Sequence, residues 1–407
     1  MPRPTKKKKS TKKHPIPIAA VCGFLGSGKT TLLRRWLQEE SLKDAAMIVH
    51  DFSDFGLDAE LLAGEESTPI HGRLEGRVAA LHGVHARDKL HSSAGQALKD
   101  ILTLKPSPPV VLCESTGAAR PWPLIAALTQ NRRFFLRHFI VTVDALNLHR
   151  DFADGRVFTG DVSPGADAAL QRAAEILAEQ ILFASVIILT KVDTLPQDVV
   201  DFQVSILQML QPGVTVGLSA HAGLLLPQLE KTLPPNLAQM KAKAKQFGLD
   251  RDTPTAVGMS SLVLRDERPF HPQRLYDACQ HQLGTGLYRT KGFLWLASRP
   301  EHVLLWQQSG SQIDLEIRGF WLTDAALDRD ENLLPEEIEH LKAKLASQHP
   351  IFGDRCNELT LIGEEAACRA FHASLMQALC TDEEIAAWQN GEDFEDPWPK
   401  SIRHINF

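Results

Sequence analysis

The sequence predicts an α/β unit on a mostly parallel sheet over residues 15–235, joined to a smaller α+β unit over residues 256–400. Three observations carry this. Apolar runs of strand length alternate with helical patterns through the first unit, the arrangement of a parallel sheet covered by helices on both faces. A glycine-rich string, Gly23-Phe24-Leu25-Gly26-Ser27-Gly28-Lys29-Thr30, joins the first apolar run to the first helical pattern. A polar, lysine-rich stretch at 236–255 then reads as a linker helix or exposed connection to a second group of strands and helices.

Residues 1–14 precede the first run and carry Arg3, Lys6, Lys7, Lys8, Lys9, Lys12 and Lys13 with no acid. No aromatic residue is interleaved, so this is read as a disordered, solubilising tail and not as a nucleic-acid arm. The 407 residues are 23% charged and 43% hydrophobic with a net charge of −6, an ordinary soluble composition long enough for two cores. A basic tail before an apolar run has the order of a secretion signal. Here the run ends in the glycine-rich string and not in a small-residue cleavage site, so that reading is set aside. The longest apolar stretch elsewhere, 181–189, is too short to span a bilayer. Cys22, Cys113, Cys279, Cys356, Cys368 and Cys380 are scattered without two-residue spacings, which fits packed thiols in a reducing cytoplasm.

The first apolar run, 16–22, reads as a buried strand, and the residues from Thr31 onward have helical spacing. Between them the string is a complete Walker A pattern. Gly23, Gly26, Ser27 and Gly28 let successive backbone N–H groups turn around a phosphate, and the following helix points its positive end there. Lys29 reaches the β- and γ-phosphates, the Thr30 hydroxyl ligates Mg²⁺, and Thr31 follows at the helix start.

The second run, 45–49, leads into His50-Asp51-Phe52-Ser53-Asp54-Phe55-Gly56-Leu57-Asp58. A switch segment belongs here, with Asp51 or Asp58 placed to meet Mg²⁺ or a partner; a solvated acidic loop is the alternative. The run at 110–113 ends in Glu114-Ser115-Thr116-Gly117. Glu114 stands where an acid holds a Mg²⁺-bound water or orients the attacking water, and the Gly117 N–H senses the γ-phosphate. A further run at 139–143 and a helical pattern at 167–183 follow. The run at 186–189 ends in Thr190-Lys191-Val192-Asp193, where Asp193 can accept both N–H groups on the guanine edge. The usual residue at the position of Thr190 is Asn, which also braces the phosphate loop. Ser219-Ala220 closes the last run of the unit, 214–218, where a short loop caps the base.

The second unit begins with a strand at 257–264 and a helix at 272–283. Strand-like segments at 292–297, 303–306, 313–317 and 358–362 follow, with helices at 335–346 and 366–379.

With these motifs assembled, the chain resembles the CobW-type metallochaperone GTPases, a group in the same class as the nickel-insertion GTPases of urease and hydrogenase. The resemblance rests on 23–31, Gly56-Leu57-Asp58, Glu114-Ser115-Thr116-Gly117 with Pro121, and Glu179-Gln180-Ile181 leading to Thr190-Lys191-Val192-Asp193. In the second unit it rests on Arg268-Pro269-Phe270-His271-Pro272, Arg289-Thr290-Lys291-Gly292-Phe293-Leu294-Trp295 and Leu379-Cys380-Thr381-Asp382-Glu383-Glu384. It implies slow GTP hydrolysis coupled to delivery of a transition metal, often zinc, to a client protein. Members usually carry Gly-Cys-x-Cys-Cys between switch and Walker B, and the corresponding region, 70–90, has no cysteine. His82 and His85, with His71 and His91 nearby, are the imidazoles available instead; solvated histidines on a helix or turn are the alternative. His271 reads as structural or interdomain.

Three readings follow: a metallochaperone using histidines or carboxylates, a metal-independent nucleotide-gated assembly factor, and an ATP-dependent P-loop kinase that Asp193 argues against. No residue stands out as an efficient water-activating base or arginine finger, so hydrolysis is expected to be slow unless a partner or a homodimer completes the site.

Overall fold

The computed structural model describes residues 14–50, 76–81, 87–117, 119–159, 168–220, 223–224, 226–247, 249, 259–283, 286–309, 312–323, 338–339, 343, 345–346 and 348–399. The tail at 1–13, the switch segment with Asp51 and Asp58, His71, and the pair His82 and His85 lie outside the described residues.

Seven strands build the first sheet: β1 (Ile16–Gly23), β2 (Ala46–His50), β3 (Val78–Leu81), β4 (Val111–Glu114), β5 (Phe134–Asp144), β6 (Val186–Thr190) and β7 (Thr215–Ser219). Every pairing is parallel, in the order β3-β2-β4-β1-β5-β6-β7. The central strands have no polar face because both faces are covered: all residues of β2, β4 and β6 are buried. Alternate residues of β1 divide between two cores. Ile18, Ala20 and Cys22 face one, while Ala19 and Val21 face the other.

Helix α1 (Lys29–Leu37) fills the second core with Leu32, Leu33 and Trp36, one stripe at helical spacing. The Trp36 indole N–H donates to Leu224 O at 2.7 Å, so its one polar atom is satisfied inside the core. On the other face lie α2 (Arg87–Ile101), α3 (Pro121–Leu128) and α5 (Ala168–Phe183), which contribute Leu90, Ala94, Leu98, Ile125, Leu177 and Ile181. A short helix, α4 (Ala145–Arg150), leaves the end of β5, and α6 (Gln197–Leu210) precedes β7.

The stretch at 236–255 contains α7 (Leu237–Gln246), capped by the Asn236 side chain. Its Met240 and Ala244, four apart, are buried in the first unit's core. Lys243 donates to Leu182 O at 3.1 Å and Gln211 Oε1 at 2.8 Å. The helix is thus packed onto the first unit: its apolar pair outweighs its charge-rich composition.

The second sheet is antiparallel throughout, in the order β11-β10-β9-β12-β8. Its strands are β8 (Met259–Asp266), β9 (Leu287–Leu294), β10 (His302–Ser309), β11 (Gln312–Phe320) and β12 (Asn357–Glu364). Helices α8 (Pro272–Gln282) and α9 (Glu365–Ala378) lay Leu275, Cys279, Phe371 and Leu375 into its core. His271 serves the fold, since its ring Nδ1 accepts the N–H of Arg274 at 3.4 Å and so caps α8. A last helix, α10 (Asp382–Gln389), starts in a capping box of Thr381 and Glu384. The Arg274 guanidinium grips both Glu384 oxygens at 2.6 and 2.7 Å and pulls that carboxyl down to about 2.

Candidate functional site

The carboxyl ends of the parallel strands bring the sequence-predicted residues to one edge, where ligands of such sheets bind. Register places Glu114 opposite Val21, Gly23 opposite Thr142, Asp144 opposite Thr190, and Thr190 opposite Ser219. Walker A, Walker B and the Thr-Lys-x-Asp string therefore share one rim, although they are far apart in the chain.

Between β1 and α1 the chain reverses in a loop that only glycine permits at its tightest points. A Cβ on Gly23, whose φ is 144°, would lie 2.3 Å from Thr142 O. Gly28, with φ 85°, caps α1 without any side-chain bond to the helix amides. First-turn amides at a helix N-terminus of this kind can receive a phosphate. Lys29 is buried, and its Nζ donates to Gly23 O at 2.9 Å and Phe24 O at 3.0 Å. The ammonium is thereby folded back over its own loop.

Neighbouring strands hold the loop. Ser27 Oγ and Thr142 Oγ1 are 2.6 Å apart, and Thr142 donates to Cys22 O at 3.2 Å. Thr190 Oγ1 lies 3.0 Å from Ser27 O and 3.2 Å from Val143 O. The hydroxyl of Thr190 thus makes the brace expected of an Asn at this position. Thr142 is not visible as a site residue in the sequence, because nothing local marks it.

At the Walker B end, the Thr30 hydroxyl donates to Glu114 Oε1 at 2.6 Å. A hydroxyl and a carboxylate side by side form a hard oxygen set that suits Mg²⁺. Gly117 follows at the closest approach of two loops: a Cβ there would lie 2.7 Å from Leu25 N. Helix α5 holds this segment from the outside, where the Gln180 side chain donates to Gly117 O at 3.1 Å and Ala119 O at 3.2 Å. Beside it, Glu179 stands 3.5 Å from Arg120, and burial raises its carboxyl to about 7 despite that cation. The sequence carries both residues in Glu179-Gln180-Ile181, but their target is remote in the chain.

At the far end, Lys191 adopts φ 56° and opens a short 3-10 turn, Val192–Thr194, that carries an exposed Asp193. Ser219 is fully buried, and its hydroxyl has no hydrogen-bond partner among the described residues. Ala220 follows it at the surface. His91 lies on α2, and among the described residues no group of three or more His, Cys, Asp or Glu is placed to hold a metal.

Comparison with known proteins matches residues 17–216 to the family described as CobW/HypB/UreG, nucleotide-binding domain. Residues 259–379 match the cobalamin synthesis protein cobW C-terminal domain. The chain belongs to the CobW family. Over 413 aligned residues it is 25% identical to the zinc-regulated GTPase metalloprotein activator 1 of Dictyostelium discoideum, covering 95% of this chain and 84% of that one. It is 25% identical to the zinc chaperone YjiA of Escherichia coli, covering 72% of this chain and 85% of that one. The crystal structure of Zn(II)-bound YjiA GTPase from E. coli aligns at 18% identity and a TM-score of 0.32, covering 90% of this chain and all of that one. The stretch matched to the nucleotide-binding domain, 17–216, holds the strands β4, β1, β5 and β6 and the start of β7, whose carboxyl ends form this rim.

Proposed function

We propose that this CobW-family chain is a slow GTPase that delivers a transition metal, zinc first among them, to a client protein. The observation that carries it is the assembly on one rim of the phosphate loop, the Thr30–Glu114 pair and the turn bearing Asp193. Relatives across most of the chain, named zinc chaperone and zinc-regulated GTPase metalloprotein activator, support the cargo.

On GTP binding, Lys29 exchanges its two loop carbonyls for phosphate oxygens, and the loop amides share the remaining charge. Thr30 and Glu114 would hold Mg²⁺, which when bound neutralises charge on the transferring phosphoryl group. Gly117 N–H senses the γ-phosphate, and Gln180 keeps its peptide in place. Asp193 accepts the two guanine N–H groups, while Ser219 and Ala220 cap the base. Hydrolysis is slow until a client or a second copy completes the site. All six cysteines are free thiols, which suits a reducing cytoplasm. Among the described residues no helix is long and apolar enough to cross a membrane.

The cysteine-free region at 70–90 favours a second reading, a nucleotide-gated assembly factor without metal. Titration of Zn²⁺ against a competing chelator separates the two, with Mg²⁺ and a non-hydrolysable GTP analogue in one arm and GDP in the other. Tight binding that differs between the arms supports the metal carrier and makes His82 and His85 the first residues to mutate. No binding in either arm leaves the assembly factor.

A further inference from the structure

Asp144 ends β5 and is not part of any motif in the sequence, yet it is buried at the nucleotide rim. Its two carboxylate oxygens have separate duties. Oδ1 accepts the N–H groups of Leu146 at 2.9 Å and Asn147 at 3.1 Å, capping α4. Oδ2 lies 2.6 Å from Lys191 Nζ. Lys191 is one residue past Thr190, which pairs in register with Asp144, and two residues before Asp193.

Lys191 is thus fixed at both ends. Its backbone sits in the left-handed region at φ 56°, and its ammonium is anchored on a carboxylate that is itself held by two amides. The side chain therefore runs from the end of β6 to the end of β5, starting one residue after the Thr190 that braces the phosphate loop and two residues before Asp193. A lysine left loose would lose rotamer freedom on meeting a ligand. An anchored one presents a preformed apolar wall.

Resting on the GTPase reading, we propose that Asp144 is a positioning residue for the guanine site, holding the Lys191 stem as a fixed wall against the flat face of the purine. It touches neither base nor phosphate and acts through Lys191. Its effect belongs to nucleotide affinity and not to the chemical step, because the γ-phosphate end of the site is untouched.

The test uses Asp144→Asn in the full chain. Asparagine caps a helix as well as aspartate does, so α4 keeps its cap while the ion pair is lost. Dissociation constants for GTP and GDP rise about 10-fold together, and kcat at saturating GTP is unchanged. Lys191→Met, at a partly exposed position, keeps the stem and removes the ammonium; it gives the same rise, and adding Asp144→Asn to it gives no further loss. Wild-type affinity in Asp144→Asn or in Lys191→Met overturns the proposal, as does full additivity of the two. A fall in kcat with KM unmoved also overturns it. Wild-type protein that binds ATP as tightly as GTP overturns instead the guanine reading beneath it.

Discussion

At the scale of single residues, the proposed site rests on a few hydroxyls and one ammonium. Lys29 Nζ rests on Gly23 O and Phe24 O, so Lys29→Ala leaves the loop carbonyls and any phosphate without their cation. The expected outcome is a loss of GTP hydrolysis of at least about 100-fold, read from phosphate release at saturating nucleotide. The Thr190 hydroxyl lies within hydrogen-bond reach of both Ser27 O and Val143 O. Thr190→Val should lower stability by about 1 kcal/mol and weaken GTP binding, and Thr190→Asn should restore the binding. Denaturant melts and nucleotide titrations on the two variants check this; a Val variant with unchanged affinity contradicts it.

Elements show where sequence reasoning reaches and where it stops. Strand-to-loop junctions are legible because each candidate residue closes an apolar run: Glu114 ends β4, Thr190 ends β6, Ser219 ends β7. Thr142, Asp144 and the grip of Gln180 on Gly117 and Ala119 are not, because their partners are far away in the chain. The strand β3 is only four residues long, too short to stand out by periodicity. Helix α5 carries a prediction of its own through Glu179. Burial raises this carboxyl from its ordinary 4.5 to about 7, so the fold favours its protonated form. That contribution is complete below pH 4.5 and is lost as pH rises through 7. Glu179→Gln should therefore melt above wild type at pH 8 and show a flatter Tm profile between pH 4.5 and 7. A profile that parallels wild type across that range contradicts the assignment.

On the scale of the whole molecule, the second sheet reaches the nucleotide loop directly. Tyr288 on β9 and Ile362 on β12 are buried in the first unit's core. The Tyr288 ring meets Phe24 of the phosphate loop edge to face, with centroids 5.9 Å apart, and Phe24 meets Phe152 at 6.1 Å. Arg34 on α1 is held below its ordinary value by burial and by Arg318 on β11. With a shared core the two sheets should unfold together. Tyr288→Ala removes an aromatic from that shared core, at a cost on the order of 3 kcal/mol. Calorimetry should show one transition in the wild type and two in the variant; a single transition of lower Tm would argue against coupling through this contact.

All three scales meet at the proposed recognition of guanine by the rim. Two hydrogen bonds to a charged acceptor contribute about 1.5–3 kcal/mol each, so adenine should be rejected by at least about 100-fold. Equilibrium titration of GTP and ATP into the wild type and Asp193→Asn tests this most directly. The expected result is a GTP preference of that size in the wild type and its collapse in Asp193→Asn, with the fold intact. Equal affinity for GTP and ATP in the wild type, or a preference that survives Asp193→Asn, would contradict it.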